Sequence, residues 1–415
     1  MTSGVLEGLT WTPDDAPLFQ FNKFVLTHLD IAPRNLILDP HGKVWLTDWG
    51  EYPDGFEVAS LRALIAGNQP NELNILQSRA LPNASRRFAF GIDNAFTSAD
   101  DVYVNDFISK ATHVINLGYP DWKQLSVILH SAAQDRMENA DEIRIKEMVQ
   151  SLSLRAAVAV AWKEKFKVDI EDTDLVNLGE VINCVWIASK DIRTTRGFKD
   201  NHDLQKALSV VFPDHNLTDP RESPLNFILP AFETLWRIVL ITFIEVGFKT
   251  GRHHPEWRKT LIAFAQNPTK LQFETANPIS AEFLVKEALR LYPPTKRIYR
   301  AHKSAASHTH SIIAADIEAC HIGPTIWGPG AKTYNPSRWA HLTKEQKNAF
   351  LPFGSAPFTC PAKSVFGPRI ISLLVGVLFS QLQGDWRLDG VDDLARERLK
   401  NERNSYDGAV LVRSS

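Results

Sequence analysis

The chain has 415 residues, of which 44% are hydrophobic and 23% charged, with a formal net charge of -2. That composition supports a sizeable core and excludes a disordered chain, and the near-neutral balance gives no electrostatic reason to expect nucleic acid or an anionic membrane as partner. Three cysteines, Cys184, Cys320 and Cys360, are too few and too scattered for a disulfide framework or a cysteine-rich zinc site, so a reducing compartment is the simplest reading.

The first residues, MTSGVLEGLTWTPDD, have no basic n-region and no apolar stretch, so no signal peptide is expected. Next comes KFVLTHLDIAPRNLILDPHGKVWLTDWG. Within it Asn35–Leu38 and Lys43–Thr47 read as two strands, joined by the turn Asp39-Pro40-His41-Gly42 into a hairpin. His28, Asp30, Asn35 and Asp48 on this background resemble the catalytic and metal loops of aminoglycoside phosphotransferase-like kinases. The resemblance implies Asp30 as catalytic base, with Asn35 and Asp48 on magnesium. Only about 27 residues precede this motif, too few for the nucleotide-binding half of such a kinase. The expectation is a small α+β kinase-like remnant over residues 1–80 and a second domain over 81–415.

Residues 57–79 have helical periodicity, 81–100 read as irregular, and 101–301 read as largely helical, with long amphipathic stretches at 141–165 and 203–212. An apolar helix follows Ser223-Pro224 and carries Leu229-Pro230-Ala231-Phe232-Glu233-Thr234. Its core, Arg237–Phe248, and the later apolar stretch Ile370–Leu382 are too short or interrupted to span a bilayer. The expected location is therefore cytoplasmic or peripheral to a membrane, with no transmembrane anchor. Further on, Glu287 and Arg290 in AEFLVKEALRLYPP share one helix face. Arg297 and Arg300 follow, then Tyr334-Asn335-Pro336-Ser337-Arg338-Trp339. Residues 330–370 are rich in Pro and Gly and read as ordered loop.

That loop contains Phe353-Gly354-Ser355-Ala356-Pro357-Phe358-Thr359-Cys360-Pro361-Ala362. Gly354 and Pro357 suit a tight turn, and Pro361 suits the first turn of a helix. A helix starting there would point its positive end at the sulfur and lower the thiol pKa. The loop resembles the haem-thiolate signature of cytochromes P-450, matching at Phe353, Cys360 and Ala362. Ala356 and Phe358 depart from it, where glycine and a basic residue are usual.

The resemblance implies a mainly α, P-450-like haem domain, N-terminally truncated, with haem iron held by Cys360. By the same resemblance Glu287, Arg290 and Arg338 form a bracing network, and Arg300, or Arg297 in its place, meets a haem propionate. Glu233 and Thr234 would relay protons to iron-bound oxygen. The early tryptophan–arginine pair of the family has no match; Lys110 stands nearest. Lys363 and Arg369 are either donor-facing or simply solvated. The implied activity is a monooxygenase using dioxygen, an external reductase and a small organic substrate. The alternatives are a small-molecule phosphotransferase through Asp30 and an inactive fusion product. His253-His254 and His302/His308/His310 read as solvated rather than metal-binding.

Overall fold

The computed structural model describes residues 58–67, 72–138, 140–162, 170–191, 193–276, 278–303, 310–382, 385–396 and 398–413, and two short strands further upstream. Those strands, β1 (Leu36–Leu38) and β2 (Val44–Leu46), pair antiparallel with Ile37 opposite Trp45, which is the expected hairpin. His28, Asp30, Asn35 and Asp48 lie outside the described residues. Contacts divide the chain between Phe56 and Glu57, upstream of the boundary expected near residue 80. The reason is local packing: α1 (Val58–Ala66) and α2 (Ile75–Ala80) lie against a strand of the larger unit, β4 (Arg297–His302).

The larger unit is built from helices. After α2 come α3 (Ala84–Phe90), α4 (Asp101–Val114), α5 (Tyr119–Met137), α6 (Ile145–Ala161), α7 (Asp172–Ala188) and α8 (His202–Val211). The second half holds α9 (Leu225–Gly247), α10 (Pro255–Gln266), α11 (Lys270–Glu274) and α12 (Ala281–Leu291). It ends with α13 (Ile317–Ile322), α14 (Pro324–Trp327), α15 (Lys344–Ala349) and α16 (Phe366–Gln381). Helix starts follow capping chemistry. The side chains of Asn74, Asp100, Ser280, Asp316 and Thr343 each accept a backbone N–H of the first turn. The stretches read as irregular at 81–100 and 330–370 are partly helical, containing α3 and α15.

Two small antiparallel sheets accompany the helices. One is the hairpin of β4 with β5 (Ser311–Asp316), in which Arg300 faces Ile313. The other places β7 (Val410–Arg413) between β3 (Glu142–Arg144) and β6 (Trp386–Asp389).

The core is organised around α9. Trp236 and Phe243 are almost wholly buried, and Phe243 stacks on Phe379 of α16 with ring centroids 4.9 Å apart. By length and composition Leu225–His253 is apolar enough to cross a membrane, but most of it is enclosed by α6, α16 and α12. Burial on all sides explains its composition. Pro230 interrupts its ladder. The Asn226 carbonyl, which a residue-230 N–H would have served, receives the Asn94 side-chain amide at 3.5 Å instead. Helices α10 and α16 meet through Gly376, where an added Cβ would lie 2.2 Å from the Leu261 carbonyl oxygen. The backbones touch there, and only glycine permits it.

Candidate functional site

The Cys360 loop closes on itself. The Cys360 N–H donates to the Phe353 carbonyl at 2.9 Å, Gly354 N–H to Leu351 at 3.0 Å, and Phe358 N–H to Ser355 at 3.0 Å. Gly354 has φ +71°, a left-handed conformation that glycine adopts without strain. The Phe353 ring lies against α16, in space that a Cβ on Gly367 would occupy. Phe353 and Cys360 are thus brought together as the sequence implied.

The helix expected directly after Cys360 is displaced. Pro361–Lys363 forms a single 3-10 turn, and α16 begins only at Phe366. Burial raises the thiol pKa, opposed by a hydrogen bond from the Ala362 N–H and by the field of Arg79. The expected lowering by a helix end is therefore corrected. What favours the thiolate is one backbone donor and one cation, and desolvation outweighs both.

Behind the loop sits the expected network, and it is buried. Glu287 accepts from Arg290 Nε and Nη2 at 3.0 and 2.7 Å, and from Arg338 Nε at 2.9 Å. It also accepts from the Asn335 backbone N–H and from Trp339 Nε1, both at 3.0 Å. Arg290 Nη1 donates to the carbonyls of His321 and Ala331, at 2.6 Å each. The motif helix α12 is thereby tied to the segment leading into the Cys360 loop.

One member of this assembly was not singled out from the sequence. His321 is fully buried, with Nδ1 3.0 Å from the Arg290 carbonyl and Nε2 2.9 Å from the Leu351 N–H. A carbonyl only accepts, so Nδ1 carries the proton and Nε2 accepts from Leu351. The ring must be neutral to do both, and burial beside Arg290 lowers its pKa from 6.5 to about 3. The folded-state pKa is depressed, so the unfolded chain takes up the proton first. Stability falls as pH drops below the ordinary value, by up to about 1.4 kcal/mol per pH unit. Urea unfolding of parent and His321→Gln should show it. The parent loses about 2 kcal/mol from this group between pH 7 and pH 5, and the variant lacks that component.

On the other side of the loop lies Phe358. Arg79 of α2 stands over its ring at 4.6 Å and over Phe96 at 4.6 Å, and Arg300 stands over Phe358 at 5.0 Å. Arg300 Nε and Nη2 donate to the Ile65 carbonyl at 3.0 and 2.6 Å, and Nη1 donates to the Tyr299 carbonyl at 2.8 Å. Arg79 is 7% exposed, and its Nη1 is buried without a hydrogen-bond partner. Burial, then the proximity of Arg300, brings its pKa down to about 10. Two guanidinium groups over the ring of Phe358, one of them near enough to Cys360 to act on its charge and with an unpaired donor, suit an anionic group carrying a thiolate-binding metal. The residues fit an iron porphyrin with its carboxylates.

Other expected positions lie elsewhere. Arg297 pairs with Asp316 across the β4–β5 hairpin at 3.0 Å. Lys110 pairs with Asp106 on the exposed face of α4. Arg369 is buried over Trp122 and donates to the Pro268 carbonyl, so it does not face a donor; Lys363 is exposed. Glu233 is buried on α9 and forms an ion pair with Arg403, a partner the sequence did not reveal. Burial raises the Glu233 pKa, with Arg403, Arg237 and Lys190 opposing. Its neighbour Thr234 is half-buried, with its hydroxyl 3.2 Å from the Pro230 carbonyl. Among the described residues no group of three or more His, Cys, Asp and Glu could hold a metal ion.

No protein-family model matches the chain. Among curated proteins it is 26% identical over 141 residues to cytochrome P-450 714A2 of Arabidopsis thaliana, covering 31% of this chain and 27% of that protein. It is 31% identical over 150 residues to a Caenorhabditis elegans protein named putative cytochrome P-450 CYP13A1, covering 32% and 28%. It is 31% identical over 168 residues to cytochrome P-450 52A9 of Candida maltosa, covering 34% and 31%. The chain thus spans under a third of the length of these relatives. Among solved structures, a cytochrome P-450DA haem domain superposes with TM-score 0.56 at 18% identity, covering 86% of this chain and 85% of that one. A cytochrome P-450SP alpha mutant gives TM-score 0.53 at 14% identity, covering 81% and 85%. The chain is thus similar in sequence to cytochromes P-450 over about a third of its length and shares their mainly helical fold over most of it.

Proposed function

We propose that this protein is a haem-thiolate monooxygenase acting on a small organic substrate, with Cys360 as the iron ligand. The observation that carries the reading is the ordered Cys360 loop, held from behind by the Glu287 network and flanked by Arg79 and Arg300. The homology to cytochromes P-450 supports it. When bound, haem would activate dioxygen so that one oxygen atom enters the substrate and the other leaves as water, with electrons from an external reductase.

The chain's own residues have separable tasks. Cys360 supplies the sulfur, and the Ala362 N–H stabilises negative charge on it. Phe353 and Gly354 hold the loop. Glu287, Arg290 and Arg338 keep it registered on α12. In this reading Glu233 holds an exchangeable proton on its carboxyl group and Thr234 Oγ1 passes it toward the substrate side, the buried pairing with Arg403 setting how readily Glu233 ionises. No observation among the described residues favours phosphotransfer through Asp30.

The test is the reduced carbon monoxide difference spectrum of the full chain expressed with ample haem supply. The parent should give a thiolate-type Soret band, and Cys360→Ala should abolish it. A parent chain that takes up no haem overturns the reading, and magnesium-dependent ATP turnover lost in Asp30→Ala would favour phosphotransfer instead.

A further inference from the structure

We infer that Arg79 is the principal anchor for a haem propionate, replacing from a distant segment the basic residue absent at position 358. The inference rests on the haem-thiolate reading and adds a residue to it. Three observations carry it.

The first is the disposition of donors. Arg300, the residue the sequence favoured for this task, directs Nε, Nη1 and Nη2 at the carbonyls of Ile65 and Tyr299. Three of its five N–H donors are thus engaged in binding α1 to β4. Arg79 differs: its Nη1 is buried and unpaired. A buried unpaired donor on a charged group is costly, so it marks a position that a further acceptor should occupy.

The second is placement. Arg79 and Arg300 stand over the same Phe358 ring at 4.6 and 5.0 Å, and Phe358 lies two residues before Cys360. Phe358 belongs with the apolar group of Leu76, Val104 and Phe107. Its aromatic face holds the guanidinium of Arg79 by cation–π attraction. The cation has moved from the loop to α2, and the aromatic ring positions it.

The third is charge. Both guanidinium groups are buried, Arg300 lies close enough to oppose the charge of Arg79, and no described ion pair gives either of them a carboxylate. A carboxylate there relieves both the repulsion and the unpaired donor, and a guanidinium binds it in a fork.

The experiment compares haem loss from the full-length holoprotein to excess apomyoglobin, a readout independent of turnover. Arg79→Gln should release haem at least tenfold faster than the parent while the ferrous carbon monoxide band stays thiolate-type. Arg79→Lys should fall between them. Arg79→Gln combined with Phe358→Arg should return the rate to within threefold of the parent, which a merely structural role for Arg79 does not predict. A parental haem-loss rate in Arg79→Gln overturns the inference and leaves the haem-thiolate reading intact. So does faster loss that Phe358→Arg does not reverse, with a matching drop in the unfolding midpoint of the haem-free chain. A parent that binds no haem overturns both.

Discussion

Replacing Glu287 by Ala is expected to lower the stability of the helical unit by about 3–5 kcal/mol and to leave almost no haem-loaded protein. Glu287 is fully buried and accepts from Arg290, Arg338, Trp339 and the Asn335 backbone. Its removal strands the Arg290 guanidinium, which is also fully buried, with no countercharge. Breaking one side of a buried pair costs far more than the pair contributes over an apolar replacement, because the remaining charge stays desolvated. The exposed Lys110–Asp106 pair is the internal control: Asp106→Ala should change stability by under about 1 kcal/mol. Urea unfolding of the haem-free chain and haem content after purification measure both effects. A Glu287→Ala chain that unfolds at the parental midpoint and keeps its haem would remove the bracing role.

The second large effect is expected at Arg403. Arg403→Leu should destabilise the fold by about 3–5 kcal/mol, and the loss should depend on pH. Glu233 is 1% exposed, its carboxyl pKa is raised by burial, and Arg403 is the strongest opposing influence. Without Arg403 the folded-state pKa climbs further. The unfolded chain then releases its proton at lower pH than the folded chain, so stability declines as pH rises through the window above 4.5. Arg237, whose Nε bonds the Glu233 carbonyl, and Lys190 still face the carboxylate and limit the effect. Chemical denaturation at pH 5.5 and pH 8 should show a steeper decline for Arg403→Leu than for the parent. Adding Glu233→Gln should flatten it and recover part of the stability, since the two changes remove one interaction. Equal losses at both pH values, with no recovery in the double variant, would mean that Arg403 acts by packing alone.

Different parts of this molecule were legible to different degrees, and the division follows sequence distance. The Glu287–Arg290 pair was readable because helical geometry places positions three apart on one face. The Cys360 loop was readable because proline and glycine restrict backbone shape locally. Arg338 was reached through resemblance, and the structure joins it to Glu287. Arg79 carried no signal, because nothing in α2 announces that its last turn meets a loop far downstream. Arg403 was silent for the same reason, and so was His321, a lone histidine outside any motif. The errors are equally physical. Lys110 was considered on sequence position, whereas α4 turns it to solvent. Arg369 looked like a surface charge, yet it folds over Trp122 because its aliphatic stem buries well.

The small sheet with β7 at its centre sets an order of assembly. β3 and β6 do not touch except through β7, so Glu142–Arg144 must wait for Val410–Arg413 before its edge is paired. Arg403 comes from the same late stretch, and so does Asn401, whose amide caps the carbonyls of Tyr292 and Pro293 just after α12. Closing such long loops is entropically slow and is rewarded only when the far contact forms. On the ribosome, α9 would therefore emerge with Glu233 facing only Arg237 and Lys190, and its strongest opposing charge, Arg403, would come only when the final segment arrives. A chain stalled or cut before residue 400 would keep its Cys360 loop and most of its helices. It would lack the clasp that closes the helical unit, and the quality-control machinery of the cell would meet it as an open form.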